Sequence, residues 1–146
     1  GTFLVPTLAA VKNIVAFKGQ GVPDYVVDKA VRVEDIHRQA IQKFYRAGGK
    51  IAMGTDAGTP FNFHGENALE LAYMVDIGIS AIDALNISTG NGADLMGKAD
   101  LGEIAAGKIA DMLIVEGDPS ADINQVAKRE NHRLVVKNGR AVPAVM

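Results

Sequence analysis

A short apolar segment that runs directly into an acid constrains the fold of this chain more than any other feature. Residues 51–55 read Ile-Ala-Met-Gly-Thr, and Asp56 follows them at once, before the small and turn-forming residues 57–60. An apolar strand without polar alternation is typical of a parallel sheet that is buried on both faces. The segment therefore predicts a buried parallel strand whose carboxyl end carries Asp56, where β/α folds place functional groups.

The rest of the first two-thirds of the chain has the rhythm of a β/α protein. Pro23 stands near the first position of a long helix, and Ser80 and Asp83 have the spacing of a capping box. The predicted elements are, in chain order, a strand over 2–7, helices over 8–18 and 24–47, the strand over 51–55, helices over 66–75 and 81–88, and a short helix that starts at Asn91. Two parallel strands cannot close a barrel. The chain is therefore predicted to be a piece of a larger unit or to associate with other copies.

The last third of the sequence has a different character. The predicted strands there cover residues 109–115 and 133–136. Asn138-Gly139 between two short apolar runs is a strong signal for a two-residue hairpin turn. We therefore predict a β/α part over residues 1–98 and a mostly β part over residues 99–146.

The composition excludes several classes of function. Apolar residues make up 48% of the chain, enough for a folded core, and the net charge of −2 favours neither nucleic acid nor an anionic membrane as a partner. No apolar run approaches the roughly 20 residues of a membrane-spanning helix. Without cysteine the chain has no disulfide framework and no thiolate for catalysis or metal binding. The chain begins with Gly1 rather than Met, so the natural amino terminus is expected upstream and the compartment is unknown, with the cytoplasm as the default.

Two interpretations of Asp56 follow from the residues alone. A carboxylate at the end of a buried strand can hold a divalent metal or move a proton, with partners that would have to come from other strands. An Asp after a strand also caps the following turn well. His64 follows at the same end of the strand, and it either takes part in the same site or caps the helix that starts near Glu66.

The other candidate residues have ordinary structural interpretations. His37 lies on the apolar stripe of the long helix and is expected to be partly buried and hydrogen-bonded, and His132 is expected at the surface. The three histidines and Asp56 fit no zinc-ligand spacing. Thr7 and Thr59 either line a pocket at the strand ends or serve as turn and cap residues.

An ordered series of motifs carries a resemblance to a known superfamily. In chain order the motifs are Gly54-Thr55-Asp56-Ala57-Gly58, His64-Gly65-Glu66-Asn67-Ala68-Leu69-Glu70-Leu71, Ala81-Ile82-Asp83-Ala84-Leu85, Ser88-Thr89-Gly90-Asn91-Gly92-Ala93 and residues 101–115. With this order and spacing the chain resembles the carboxyl-terminal part of the metal-dependent amidohydrolase superfamily, and within it the imidazolonepropionase-like and Xaa-Pro dipeptidase-like branch. The segment Val5-Pro6-Thr7-Leu8 resembles the seventh barrel strand of that branch.

The resemblance implies an α/β fold, the last quarter of a (β/α)8 TIM barrel followed by a small β-sandwich tail. Residues 1–98 would hold strands seven and eight with the helices after them, and residues 99–146 a segment of the sandwich that the family builds from both chain ends. Family members use one or two divalent metal ions, usually zinc. Their ligands are a His-x-His pair, a carboxylated Lys or Glu, two further His and an Asp that ends strand eight. Only that Asp has a match in this chain, at Asp56.

The same resemblance implies a fragment of a metal-dependent hydrolase that cleaves amide (C–N) bonds of dipeptides or N-acyl amino acids. Asp56 would be both metal ligand and proton shuttle, and His64 would contact the substrate or hydrogen-bond a metal ligand. The chain alone is expected to be inactive, because one carboxylate and one imidazole cannot hold zinc. Its expected partners are the missing barrel segment or further copies of itself, and no nucleic acid or membrane.

A hypothesis of another class is also open. The chain would then be a non-catalytic β/α module that self-associates through exposed strand edges, or that completes a barrel with a partner chain.

Overall fold

The computed structural model describes residues 1–143, and the last three residues of the predicted β part lie outside this range. The helices and strands are α1 (Leu8–Ala16), α2 (Asp24–Arg46), α3 (Leu69–Asp76), α4 (Ala81–Ser88), α5 (Gly90–Leu95), β1 (Met112–Val115), α6 (Asn124–Ala127), β2 (His132–Lys137) and β3 (Arg140–Val142). A 3₁₀ turn at Arg129–Asn131 connects α6 to β2. No helix within residues 1–143 has the length and apolar character needed to cross a lipid bilayer.

The two predicted barrel strands lie side by side and parallel. Leu4 and Ile51 form a parallel bridge. The Leu4 amide donates to the Lys50 carbonyl at 2.9 Å, and the Ala52 amide donates to the Leu4 carbonyl at 3.0 Å. The full strands predicted over residues 2–7 and 51–55 are wrong in extent, because the next bond of this parallel register would need an amide hydrogen at position 6, which Pro6 lacks.

Helices supply the hydrogen bonds on the outer side of residues 51–55. The Met53 amide donates to the carbonyl of Ile87, the penultimate residue of α4, at 3.3 Å. The Asn91 side chain, on α5, donates to the Ile51 carbonyl at 2.7 Å. Residues 51–53 are therefore hydrogen-bonded on both sides, by Leu4 on one side and by Ile87 and Asn91 on the other.

One apolar core joins the helices to the segment that ends at Asp56. Its buried members are Leu8, Ile41, Ile51, Leu71, Met74, Ile77, Ile79, Ala84, Ile87, Ile123 and Val126. Ile123 and Val126 belong to the predicted β part, and α6, which the sequence analysis did not predict, packs against α3. Part of the tail thus shares the core of the β/α part, and the division after residue 98 stays a prediction.

The long helix α2 forms as predicted, but its buried face is shifted from the apolar stripe predicted by the sequence. That stripe comprises Val26, Ala30, Val33, His37, Ala40, Phe44 and Ala47. Val27, Ala30 and Ile41 are buried, so Ala30 lies on both faces, whereas Val33 and Ala40 are exposed. Contact with α1 determines which face of α2 is buried. That face is rotated by about one residue from the apolar stripe of the sequence. His37 is partly buried, as predicted, but its ring makes no hydrogen bond within the described part of the chain.

The tail contains an antiparallel sheet in the order β1-β2-β3. Asn138 and Gly139 have φ of 50° and 73°, which is the conformation of a type I′ turn, so the predicted hairpin is confirmed. His132 is partly buried, and its Nε2 lies 2.8 Å from the Val126 carbonyl. The expected surface position of His132 is therefore wrong, because α6 provides a carbonyl partner that the sequence did not reveal.

We expect Gly54→Ala to lower the free energy of unfolding by about 1–3 kcal/mol. A methyl group on Gly54 would clash with Cγ1 of Val5 on the neighbouring segment, so the Val5 side chain or the two segments would have to shift. Gly92→Ala in α5 is the matched control, because the nearest atom to its new methyl group is 3.9 Å away. Urea denaturation of both variants measures the effect, and equal midpoints would contradict the close approach of the two segments.

Candidate active site at the strand ends

Asp56 lies directly after the paired segment, exposed and with φ of 54°. Its backbone carbonyl closes the following turn by accepting hydrogen bonds from the amide of Thr59 at 3.2 Å and from the hydroxyl of Thr59 at 3.0 Å. Its carboxylate takes part in no hydrogen bond or ion pair among the described residues. The turn is therefore capped without the carboxylate, and Thr59 serves as a turn residue.

A single buried amide organises the loop after Asp56. The Nδ2 of Asn62 donates to the Thr55 carbonyl at 2.5 Å and to the Thr59 hydroxyl at 3.3 Å. The backbone carbonyl of Asn62 accepts from the Gly58 amide at 2.8 Å. Sequence reasoning missed Asn62. These three hydrogen bonds fix the turn in which Asp56 stands.

The same loop is tied to α1. Phe61 stacks on Phe17 with ring centroids 4.6 Å apart, and the Asn13 side chain donates to the Phe61 carbonyl at 2.9 Å. The loop therefore packs against the helix that follows the other paired segment, which connects the two strand ends.

His64 is exposed in this loop, and its Nε2 lies 3.5 Å from the position that a Cβ on Gly58 would occupy. It does not cap the next helix, because α3 begins at Leu69 without a side-chain cap. The loop brings His64 to the same end of the segment as Asp56, but the two side chains share no hydrogen bond.

Glu70 is a functional-site candidate that sequence reasoning missed. Its side chain is 0% exposed, and its two oxygens accept hydrogen bonds from the amides of Leu8 at 2.7 Å and Ala9 at 2.8 Å. Burial, with a smaller contribution from the negative charge of Asp56, raises the pKa of Glu70 to about 7 against the opposing effect of these two amides. The available signal was a single acid inside the apolar run at residues 68–72.

The described residues alone do not supply the donors that a metal ion needs. Within residues 1–143 no three side chains of His, Asp or Glu come close enough to hold an ion. The exposed carboxylate of Asp56, which no protein group occupies, fits the role of one ligand. Zinc needs three or four ligands, so the others would have to come from outside these residues.

Comparison with known proteins gives a family for the chain. A model of the amidohydrolase family matches residues 1–142. Ochratoxinase of Aspergillus niger is 29% identical over 143 residues, which are 96% of this chain and 29% of that protein.

Solved structures contain a segment with the same fold as this chain. A Xaa-Pro dipeptidase crystallised with methionine in its active site superposes with a TM-score of 0.86 at 35% identity, over 99% of this chain and 35% of that one. A prolidase in complex with N-methylphosphonate-L-proline superposes with a TM-score of 0.87 at 28% identity, over 97% of this chain and 35% of that one. The chain therefore spans about a third of the length of the relatives it matches.

Proposed function

Because this chain belongs to the amidohydrolase family, we propose that it is the carboxyl-terminal part of a metal-dependent hydrolase that cleaves amide bonds. In this proposal residues 2–7 and 51–55 are barrel strands seven and eight. The observation that carries it is the exposed carboxylate of Asp56 at the carboxyl end of two parallel segments.

The proposed substrates are dipeptides or N-acyl amino acids. The structural neighbours include a Xaa-Pro dipeptidase and a prolidase complexed with a phosphonate derivative of proline, which supports a small amide substrate. The relation to ochratoxinase supports the same assignment.

Asp56 has two roles in the proposed reaction. It is a ligand of one or two divalent ions, zinc in our proposal, and when bound such an ion makes a water acidic enough to lose a proton near neutral pH. The Asp56 carboxylate accepts the proton of the attacking water and returns it to the leaving nitrogen. His64, in the same loop, contacts the substrate or donates a hydrogen bond to a metal ligand.

A second candidate function is self-association of a non-catalytic module, or completion of a barrel with a partner chain. It is favoured by exposed apolar side chains on the tail sheet, namely Leu113, Ile114, Leu134, Val135 and Val142. We expect the molar mass of this chain from light scattering to rise with concentration if this function applies. A monomer at all concentrations with a cooperative melt would contradict it.

Metal removal tests the proposed hydrolase. In the longest form of the protein, with the missing barrel segment present, we expect hydrolysis of alanyl-proline or N-acetylmethionine to fall at least about 100-fold after dialysis against a chelator and to return with zinc. Metal analysis during reconstitution gives the number of ions per chain. Hydrolysis that survives complete metal removal, or no hydrolysis of either probe by the zinc-loaded protein, would overturn the proposal.

A further inference from the structure

The amino terminus of α1 is capped by a residue of another helix. Thr7 occupies the N-cap position, where a threonine hydroxyl ordinarily accepts a hydrogen bond from an amide in the first helical turn. Thr7 makes no such bond. The carboxylate of Glu70 on α3 takes this role instead by accepting from the amides of Leu8 and Ala9.

Thr7 stands in a conformation that needs outside support. Its φ of 47° and ψ of 45° are left-handed, which is rare for a β-branched residue and persists only where the surroundings hold it. Pro6 before it is buried, and the two amides after it are bound by buried Glu70. Both neighbours of Thr7 are therefore fixed by the core.

This arrangement leaves the Thr7 hydroxyl available. The hydroxyl takes part in no hydrogen bond within residues 1–143, and no buried side-chain oxygen in that range lacks a partner, so the hydroxyl is accessible. The Thr7 Cγ2 lies 3.9 Å from the Cβ position of Gly54, two residues before Asp56. Thr7 and Asp56 thus end adjacent parallel segments, each with a left-handed backbone and an uncommitted polar group.

We propose that Thr7 is a substrate-contacting residue of the strand-end site and that Glu70 is the positioning residue that holds it there. The catalytic part of this inference rests on the proposed function. The Thr7 hydroxyl donates a hydrogen bond to an oxygen of the amide substrate, and Glu70 acts through the turn without touching the substrate.

Two substitutions at Thr7 separate the hydroxyl from the shape of the side chain. Thr7→Val keeps the branching and volume, and Thr7→Ser keeps the hydroxyl. Both variants are assayed with alanyl-proline in the zinc-loaded protein that includes the missing barrel segment. We expect Thr7→Val to lower kcat/KM about 5- to 10-fold, mainly through a higher KM. Thr7→Ser should stay within about twofold of wild type. Wild-type kinetics for Thr7→Val, or equal losses in both variants, would overturn the substrate contact.

The positioning role of Glu70 is tested without any activity measurement. NMR scalar couplings and chemical shifts of the unmodified chain should report a positive φ at Thr7. In Glu70→Gln we expect hydrogen exchange at Leu8 and Ala9 to accelerate at least 10-fold, whereas the exposed control Glu130→Gln should match wild type. A negative φ at Thr7 in wild type, or unchanged exchange in Glu70→Gln, would overturn the positioning role.

A double-mutant cycle tests whether Glu70 affects substrate binding through Thr7. If Glu70 acts through Thr7, Glu70→Gln raises KM in the wild-type background and adds little in the Thr7→Val background. Fully additive effects would overturn this link. Absence of hydrolysis in wild type would instead overturn the proposed function together with the substrate contact, while the NMR result would still decide the positioning of Thr7.

Discussion

Asp56→Asn is expected to lower kcat/KM by a factor of at least about 100 in the zinc-loaded protein that includes the missing barrel segment. The substitution removes the negative charge that would bind the metal and accept the proton, but it keeps the size of the side chain. Asn tolerates the left-handed conformation at least as well as Asp, so the φ of 54° at this position imposes no new strain. Steady-state kinetics and metal analysis of the purified variant measure the effect.

The control for this experiment is Asp94→Asn. Asp94 is exposed near the end of α5, and its side chain makes no hydrogen bond among the described residues. We expect wild-type kinetics and metal content for it. If Asp56→Asn also retained wild-type metal content and activity, Asp56 would be a turn residue and the proposed mechanism would be wrong.

The stability of the metal-free chain is expected to depend on pH through Glu70. Its pKa is about 7 in the folded protein and near 4.5 when unfolded, so the folded state binds the proton more tightly. The resulting stabilisation is fully present below pH 4.5 and is lost as pH rises through 7. Between pH 5 and pH 8 we expect the unfolding free energy of wild type to fall by about 2.5 kcal/mol relative to that of Glu70→Gln.

The comparison uses how the unfolding free energy of each variant changes with pH, and not its absolute value. Gln accepts a hydrogen bond through one oxygen only, so Glu70→Gln leaves one of the two α1 amides without a partner and shifts the whole curve. Urea melts at several pH values give the unfolding free energy of each variant. Glu130→Gln should follow wild type, and parallel curves for wild type and Glu70→Gln would show that Glu70 does not titrate in this range.

Local signals in the sequence predicted local structure well. Ser80 accepts a hydrogen bond from the Asp83 amide at the start of α4, as the capping-box spacing indicated. Asn138-Gly139 forms the hairpin turn that its composition predicted, because both residues accept a positive φ at little cost. In these cases the determining interactions lie within a few residues of each other.

Features that depend on distant residues were missed or misjudged. The length of the strand over 51–55 depends on its neighbours, which a sequence pattern does not reveal. Glu70 was assigned to an ordinary helix, although its partners Leu8 and Ala9 lie more than 60 residues away. The sequence left Thr7 open between a pocket residue and a cap residue, because it does not show that Glu70 accepts the hydrogen bonds of the first α1 amides in its place.

The hydrogen bonds around residues 51–55 determine where further chain can be added. Ile87 and Asn91 hydrogen-bond the backbone groups of Met53 and Ile51 on one flank, so a strand that pairs there has to displace both bonds. On the opposite flank, the amide and carbonyl of Val5 have no partner within residues 1–143. In the proposed barrel, the strand before residues 2–7 would therefore pair with Val5 without displacing a hydrogen bond, whereas the first strand would replace the hydrogen bonds of Ile87 and Asn91 and close the ring.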